Sequence, residues 1–482
     1  MRKLTILAVA LVFALVAAPA FASVQNVRVR GSLDNTGIIR DNMDLGFGNG
    51  TPGDRNDRHQ NVLISQVRVQ VDADMTDNVS TTVAILNERE WSTNPTSSDK
   101  TGVDINLAYV TLREMLYSPL TVIVGRQVFK YGNSFIIDAT GANNVAPSDS
   151  GLSSVANDFT WQTAQDAVRL VFDYNPLTLE FLYSKINENT PTGNEDDDDD
   201  INLWGADALY ELGDDMNTLV ETYFFTKKDK SPNNLGGASQ ALEGAKKDVV
   251  YVPGIRVSTN PIEGLNLQGE FAMQRGNKVG TTTVTNDPGP VNMKREAYGA
   301  QMIASYQVPV VEEYHPVAQY VYTYVSGDSN PSDTGTDNQA STNRWTMWDP
   351  MFEAQGTGQI WNALFDLSGA HIHQAQLSAN PMEDVTTTVR WTGIWLDKEL
   401  GKTPSGSLDS ITIRQPDQGA LSLLGKAGEE EIGHEFDAEV VYDYTEDVRL
   451  GASLGWFLPG DVFSEHNDSV ATQAIVHGNV NF

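Results

Sequence analysis

From residue 24 onward, apolar and polar residues alternate with period two in segments about ten residues long. Val67-Arg68-Val69-Gln70-Val71-Asp72 carries its apolar side chains at odd positions, and Leu265-Asn266-Leu267-Gln268-Gly269-Glu270-Phe271 repeats the arrangement. Successive side chains of a strand point to opposite faces, so each segment has one apolar and one wet face. The pattern predicts eighteen strands, near 24–33, 62–73, 78–87, 102–113, 119–129, 166–174, 177–186, 202–212, 217–227, 249–258, 264–275, 296–307, 316–326, 371–379, 384–396, 434–444, 447–457 and 470–482.

The connections fall into two alternating kinds. Short ones carry turn residues, as in Asn175-Pro176, Gly213-Asp214-Asp215 and Thr445-Glu446-Asp447. Long polar loops run at 34–61, 130–165, 228–248, 276–295, 327–370 and 398–433. A soluble sandwich has no reason to sort its connections this way, whereas a transmembrane barrel has short periplasmic turns and long outer loops. Aromatic residues near strand ends (Tyr109, Tyr174, Tyr210, Tyr298, Tyr324, Trp391, Trp395, Tyr442, Tyr444 and Trp456) fall on outward parity, where interfacial girdles lie. The last strand ends on Phe482, which resembles the terminal signal of outer-membrane barrels. The expected fold is all-β, a transmembrane antiparallel barrel of about 18 strands.

The first residues add a compartment. Arg2-Lys3, the apolar run Leu4 to Val16 and Ala20-Phe21-Ala22 have the three parts of a cleavable signal. Residues 1–22 are therefore expected to be a signal peptide and 23–482 an outer-membrane barrel domain, with lipid and lipopolysaccharide around it. Beyond this segment no apolar stretch reaches the length of a helical span.

Composition removes several function classes. With 64 acidic against 32 basic residues the formal charge is -32, which argues against nucleic acid as a partner. The absence of cysteine excludes disulfides, thiolate metal sites and a cysteine nucleophile.

Four stretches resemble the alginate-export family of outer-membrane barrels. They are Arg68 through Trp91; Ser118-Pro119-Leu120 leading into Gly125-Arg126-Gln127-Val128-Phe129-Lys130-Tyr131-Gly132; Gln165 through Leu170; and Gly433-His434-Glu435-Phe436-Asp437 with Trp456-Phe457-Leu458-Pro459-Gly460. The resemblance covers most of the chain from residue 23 and implies an eighteen-stranded barrel. The family's namesake exports an anionic polysaccharide through a strongly basic lumen.

Strand parity then assigns a lining. Arg28, Arg30, Arg68, Arg169, Arg256, Arg390 and Arg449 fall on inward positions, as do Asp173, Glu180, Glu270, Asp437 and Glu439 among the acids. Two arrangements fit them: an arginine ladder for anionic solutes, or pairs that neutralise one another across strands. With Asp72, Asp104, Asp207, Glu211, Glu221, Glu435 and Asp443 added, twelve inward acids stand against seven inward arginines, which departs from the basic lumen the resemblance implies. Arg126 falls on outward parity with Val122 and Val124. In the 327–370 loop, Trp345, Trp348, Phe352 and Trp361 form an apolar group, suited either to folding into the mouth as a constriction or to packing over the rim.

Other motifs promise less chemistry. Gly451-Ala452-Ser453-Leu454-Gly455 matches a nucleophile-elbow pattern but lies inside a strand, where no strand-to-helix turn exposes the serine. His371 and His373 share a strand face without a third ligand at metal-site spacing, and 195–200 is an acidic run suited to diffuse cation binding. The reading is a porin-like channel for a small hydrophilic solute or saccharide, needing no metal or other cofactor. A periplasmic scaffold partner belongs to the alternative of polysaccharide secretion, and a surface scaffold or enzyme acting through its loops is the other.

Overall fold

The computed structural model describes residues 25–46, 59–91, 102–138, 152–187, 201–230, 247–281, 290–328, 344–399, 410–463 and 467–482, apart from 118, 153–155, 356 and 416–418. The expected signal segment and the acidic run at 195–200 lie outside these residues. The chain forms β1 (Asn26–Asp41), β2 (His59–Thr76), β3 (Val79–Glu90), β4 (Asp104–Leu112), β5 (Leu120–Gln127), β6 (Gln165–Asp173) and β7 (Leu177–Asn187). Next come β8 (Ile201–Glu211), β9 (Leu219–Asp229), β10 (Asp248–Ile262), β11 (Leu265–Thr281), β12 (Pro290–Gln307) and β13 (Val317–Val325). The last third holds β14 (Arg344–Trp345), the helix α1 (Gln359–Leu364), β15 (Ala370–Met382), β16 (Val385–Leu396), the hairpin β17 (Ser410–Gln415) and β18 (Gly419–Leu424), β19 (Glu431–Asp443), β20 (Val448–Pro459) and β21 (Ala471–Asn481).

Eighteen of these strands pair antiparallel with their neighbours, skipping β14 and the β17–β18 hairpin, and β21 closes on β1 through Ser32↔Asn481 to Asp41↔Thr472. Closure leaves no unpaired edge around the circuit, the condition for a sheet to stand in lipid. Each of the eighteen predicted segments corresponds to one barrel strand. The outward face is the apolar one: Val83, Phe181, Phe224, Ile255, Phe271, Met302, Val389, Phe436 and Val476 are all exposed. So broad an apolar band belongs against hydrocarbon rather than water.

One girdle residue departs from its expected side. Between β3 and β4 the register shifts, with Ala84 opposite Leu107 and Ile85 opposite Ile105. The additional residue, Asn106, reverses the parity of everything after it. Tyr109 consequently stands opposite Thr82 on the inward face, packed near buried Ala84 and Leu107.

The interior is not simply wet. Tyr223, Phe225, Val250 and Val252 point inward from β9 and β10 and are buried with Phe129, Phe135, Trp348 and Trp361. This apolar cluster sits inside the barrel because connecting loops turn inward and cover the wall.

Candidate functional site: the barrel interior and its inward loops

Two connections meet inside the barrel. After β5 the chain runs through Phe129 to Asp138, and after β14 it runs through Trp348 to α1. They are joined by backbone hydrogen bonds: Asp138 N donates to Phe352 O (2.7 Å), Phe352 N to Ile136 O (3.1 Å) and Ala354 N to Ser134 O (2.9 Å). The Phe135 ring stacks on Trp348 at 5.5 Å.

Wall carboxylates hold these loops in place. Buried Glu435 accepts from the backbone N–H groups of Ile360 (2.7 Å) and Trp361 (2.8 Å) at the start of α1. Glu221 accepts from Gly132 N (2.8 Å), and Glu180 accepts from the Tyr131 hydroxyl. Gly132 has φ +55°, and a Cβ there would crowd Glu270, so glycine suits this turn. Burial, followed by the charge of Glu180, pushes the Tyr131 hydroxyl's pKa up, keeping it a donor. A third inward segment is fixed on the opposite wall: Glu88 accepts from Trp161 N (2.7 Å) and Thr160 Oγ1 (2.9 Å), while Arg40 pairs with Asp158 at 2.6 Å. Asp349 lies between Lys227 (2.7 Å) and Arg295 (3.7 Å). Burial acts to raise its pKa, but these two cations outweigh burial and hold it at about 2.

Cross-strand register locates the residues expected to line the path. Arg28 and Arg30 stand opposite Asp72 and Gln70, with ion pairs Arg30–Asp72 at 2.7 Å and Arg28–Asp74 at 3.8 Å. Arg169 pairs with Glu180 at 2.5 Å, Arg256 with Glu221 at 2.8 Å, Arg390 with Asp437 at 3.8 Å and Arg449 with Asp443 at 2.6 Å. Glu270 accepts from the Tyr223 hydroxyl at 2.6 Å. Asp173 accepts from Asn175 N in a turn, and Glu439 stands opposite Thr388 and Ser453. Arg68 alone among these arginines has no carboxylate within 4.0 Å among the described residues; its Nη2 donates to Gln70 Oε1 at 2.7 Å.

Of the loop aromatics, Trp348 and Trp361 are buried in the interior cluster and Phe352 packs against it. Trp345 stays at the rim, half-buried, with Lys278 over its ring. Arg126 stands opposite Asp166, 64% exposed, and pairs with it at 3.5 Å on the outward face. Ser453 lies mid-strand and donates to Gln359, without the exposed turn of a nucleophile. His371 and His373 point outward, hydrogen-bonded to the Tyr322 and Tyr320 hydroxyls. Sequence reasoning missed the loop anchors Glu88, Asp349 and Gln355, the last donating from Nε2 to Asn133 O at 3.0 Å. Their signal was available only as polar residues beside aromatic loop positions.

A polar cavity of about 240 Å³ remains beside the joined loops, lined by Asn133, Gln301, Gln319, Gln355, Gln374, Gln376 and Arg390 among others.

The alginate export family model matches residues 41–477. No curated protein matches the chain in sequence. Among solved structures, the chain is similar to Pseudomonas aeruginosa OpdK with vanillate (TM-score 0.52, 10% identity, covering 95% of this chain and 100% of that one). It is also similar to OccK2 (OpdF) of the same organism in complex with glucuronate (TM-score 0.51, 9% identity, 95% and 99%). A third is Pseudomonas aeruginosa OpdO (TM-score 0.54, 9% identity, 95% and 98%). These likenesses concern the fold, and the sequence match concerns descent. The chain belongs to the alginate export family, and its fold is that of an outer-membrane β-barrel channel.

Proposed function

We propose that this barrel passes small hydrophilic solutes by diffusion, and that the joined loops at 129–138 and 346–365 form its constriction. The observation that carries the reading is the inward apolar cluster, which fills interior space that a polymer conduit needs open. The polar lining beside it offers hydrogen bonds to a hydrated solute. Vanillate and glucuronate, present in two of the similar structures, are solutes of suitable size. The outward apolar face has outer-membrane lipid as its partner.

Liposome swelling with graded neutral sugars tests this. Proteoliposomes should swell rapidly in monosaccharides and slowly in tetrasaccharides. Equal rates for both, or no swelling with a correctly assembled barrel, would contradict it.

A further inference from the structure

We propose that Arg68 is the docking point for a single carboxylate group of the permeating solute. The proposal rests on the diffusion-channel reading and names the solute's chemistry.

Arg28, Arg30, Arg169, Arg256, Arg390 and Arg449 each have a carboxylate within 4.0 Å, so those stretches of wall are locally neutralised. Among the described residues the Arg68 guanidinium donates only to the neutral Gln70 side-chain carbonyl, and its buried Nε has no partner. The nearest acid on its own strand, Asp72, is already engaged by Arg30, Thr82 and Gln70. A guanidinium offers five N–H donors in a planar fork that matches a carboxylate, so donors remain open here.

Position supports the same conclusion. Arg68 borders two recesses, one of about 550 Å³ toward the seam between β21 and β1 and one of about 220 Å³ under Thr160 and Trp161. It stands opposite Ser32, which stands opposite Asn481, giving a polar row across three strands at one level. Ser32 and Asn481 add neutral donors beside the cation without adding charge. Asp447 at the rim of the larger recess opposes a second negative group. One unneutralised cation suits a monocarboxylate; a polyanion needs several in succession.

Single-channel recording of the full chain tests this, using potassium glucuronate and glucose as probes. The two differ at one carbon, carboxylate against hydroxymethyl. Glucuronate should interrupt the current in a concentration-dependent way and glucose should not. Arg68→Gln should weaken the interruption at least about tenfold, the scale of a lost charge-assisted hydrogen-bond pair. Gln70→Glu, which supplies Arg68 with a wall carboxylate, should do the same by a different route. Arg126→Gln, on the outward face and paired with Asp166, should leave it within about twofold. Interruption unchanged in both Arg68→Gln and Gln70→Glu would overturn the proposal while leaving the channel reading intact. Absence of any current from the assembled wild-type barrel would overturn both.

Discussion

Asp349 illustrates how single charges set the interior. Its carboxylate lies between Lys227 and Arg295, and these cations hold it at about 2 against an ordinary value of 3.8. A depressed carboxyl stabilises the docked loop fully above its ordinary pKa, and that contribution is lost as pH falls toward about 2. The shift corresponds to something on the order of 2 kcal/mol. Single-channel noise should therefore stay steady from pH 8 to pH 4 so far as this contact governs it, and rise below pH 3. Asp349→Asn should bring the acid-type noise to pH 7. A variant indistinguishable from wild type at pH 7 would show that the pair does not hold the loop.

At the scale of elements, α1 and its anchor make a unit. Glu435, on β19, receives two backbone N–H groups that otherwise lie buried and unpaired. Removing the acceptor in Glu435→Ala is expected to cost about 3 kcal/mol of loop docking, since each orphaned buried donor carries a desolvation penalty. Hydrogen exchange followed by mass spectrometry should find residues 359–365 deprotected while the barrel strands stay protected. Uniform protection would contradict the anchoring role. The strands themselves were legible because alternation is enforced wherever one face meets lipid and the other does not. Legibility failed where that contrast vanishes. The extra residue at Asn106 reversed the side of Tyr109, a bulge with no composition signature. Tyr223-Phe224-Phe225 is apolar on both faces because the loops cover the inner one, an effect of tertiary contact. Strands β11 and β12 continue to Thr281 and back to Pro290, beyond the alternating stretch, because pairing outlasts the lipid.

For the whole molecule, the acidic excess acquires two locations. One is the turns, as at Asp214, whose pKa is lowered by the hydrogen bonds it accepts from Thr218. The other is the inner wall, where Glu88, Glu221 and Glu435 fix loops rather than line open water. Inward parity alone could not separate an acid facing solute from an acid facing a docked loop, since both are polar positions on the same face. The same holds for the paired arginines, whose carboxylates come from neighbouring strands. The interior thus combines an apolar cluster under the inward loops with a polar wall whose paired arginines face carboxylates. That division predicts a current smaller than an open eighteen-stranded barrel carries. The most direct measurement is the single-channel conductance of the full chain against a variant in which residues 346–365 are replaced by a short Gly/Ser linker. With both barrels heat-modifiable on gels, the linker variant should conduct at least about twofold more, because the constriction dominates the resistance of a pore. Equal or lower conductance in that variant would mean that the segment does not narrow the path.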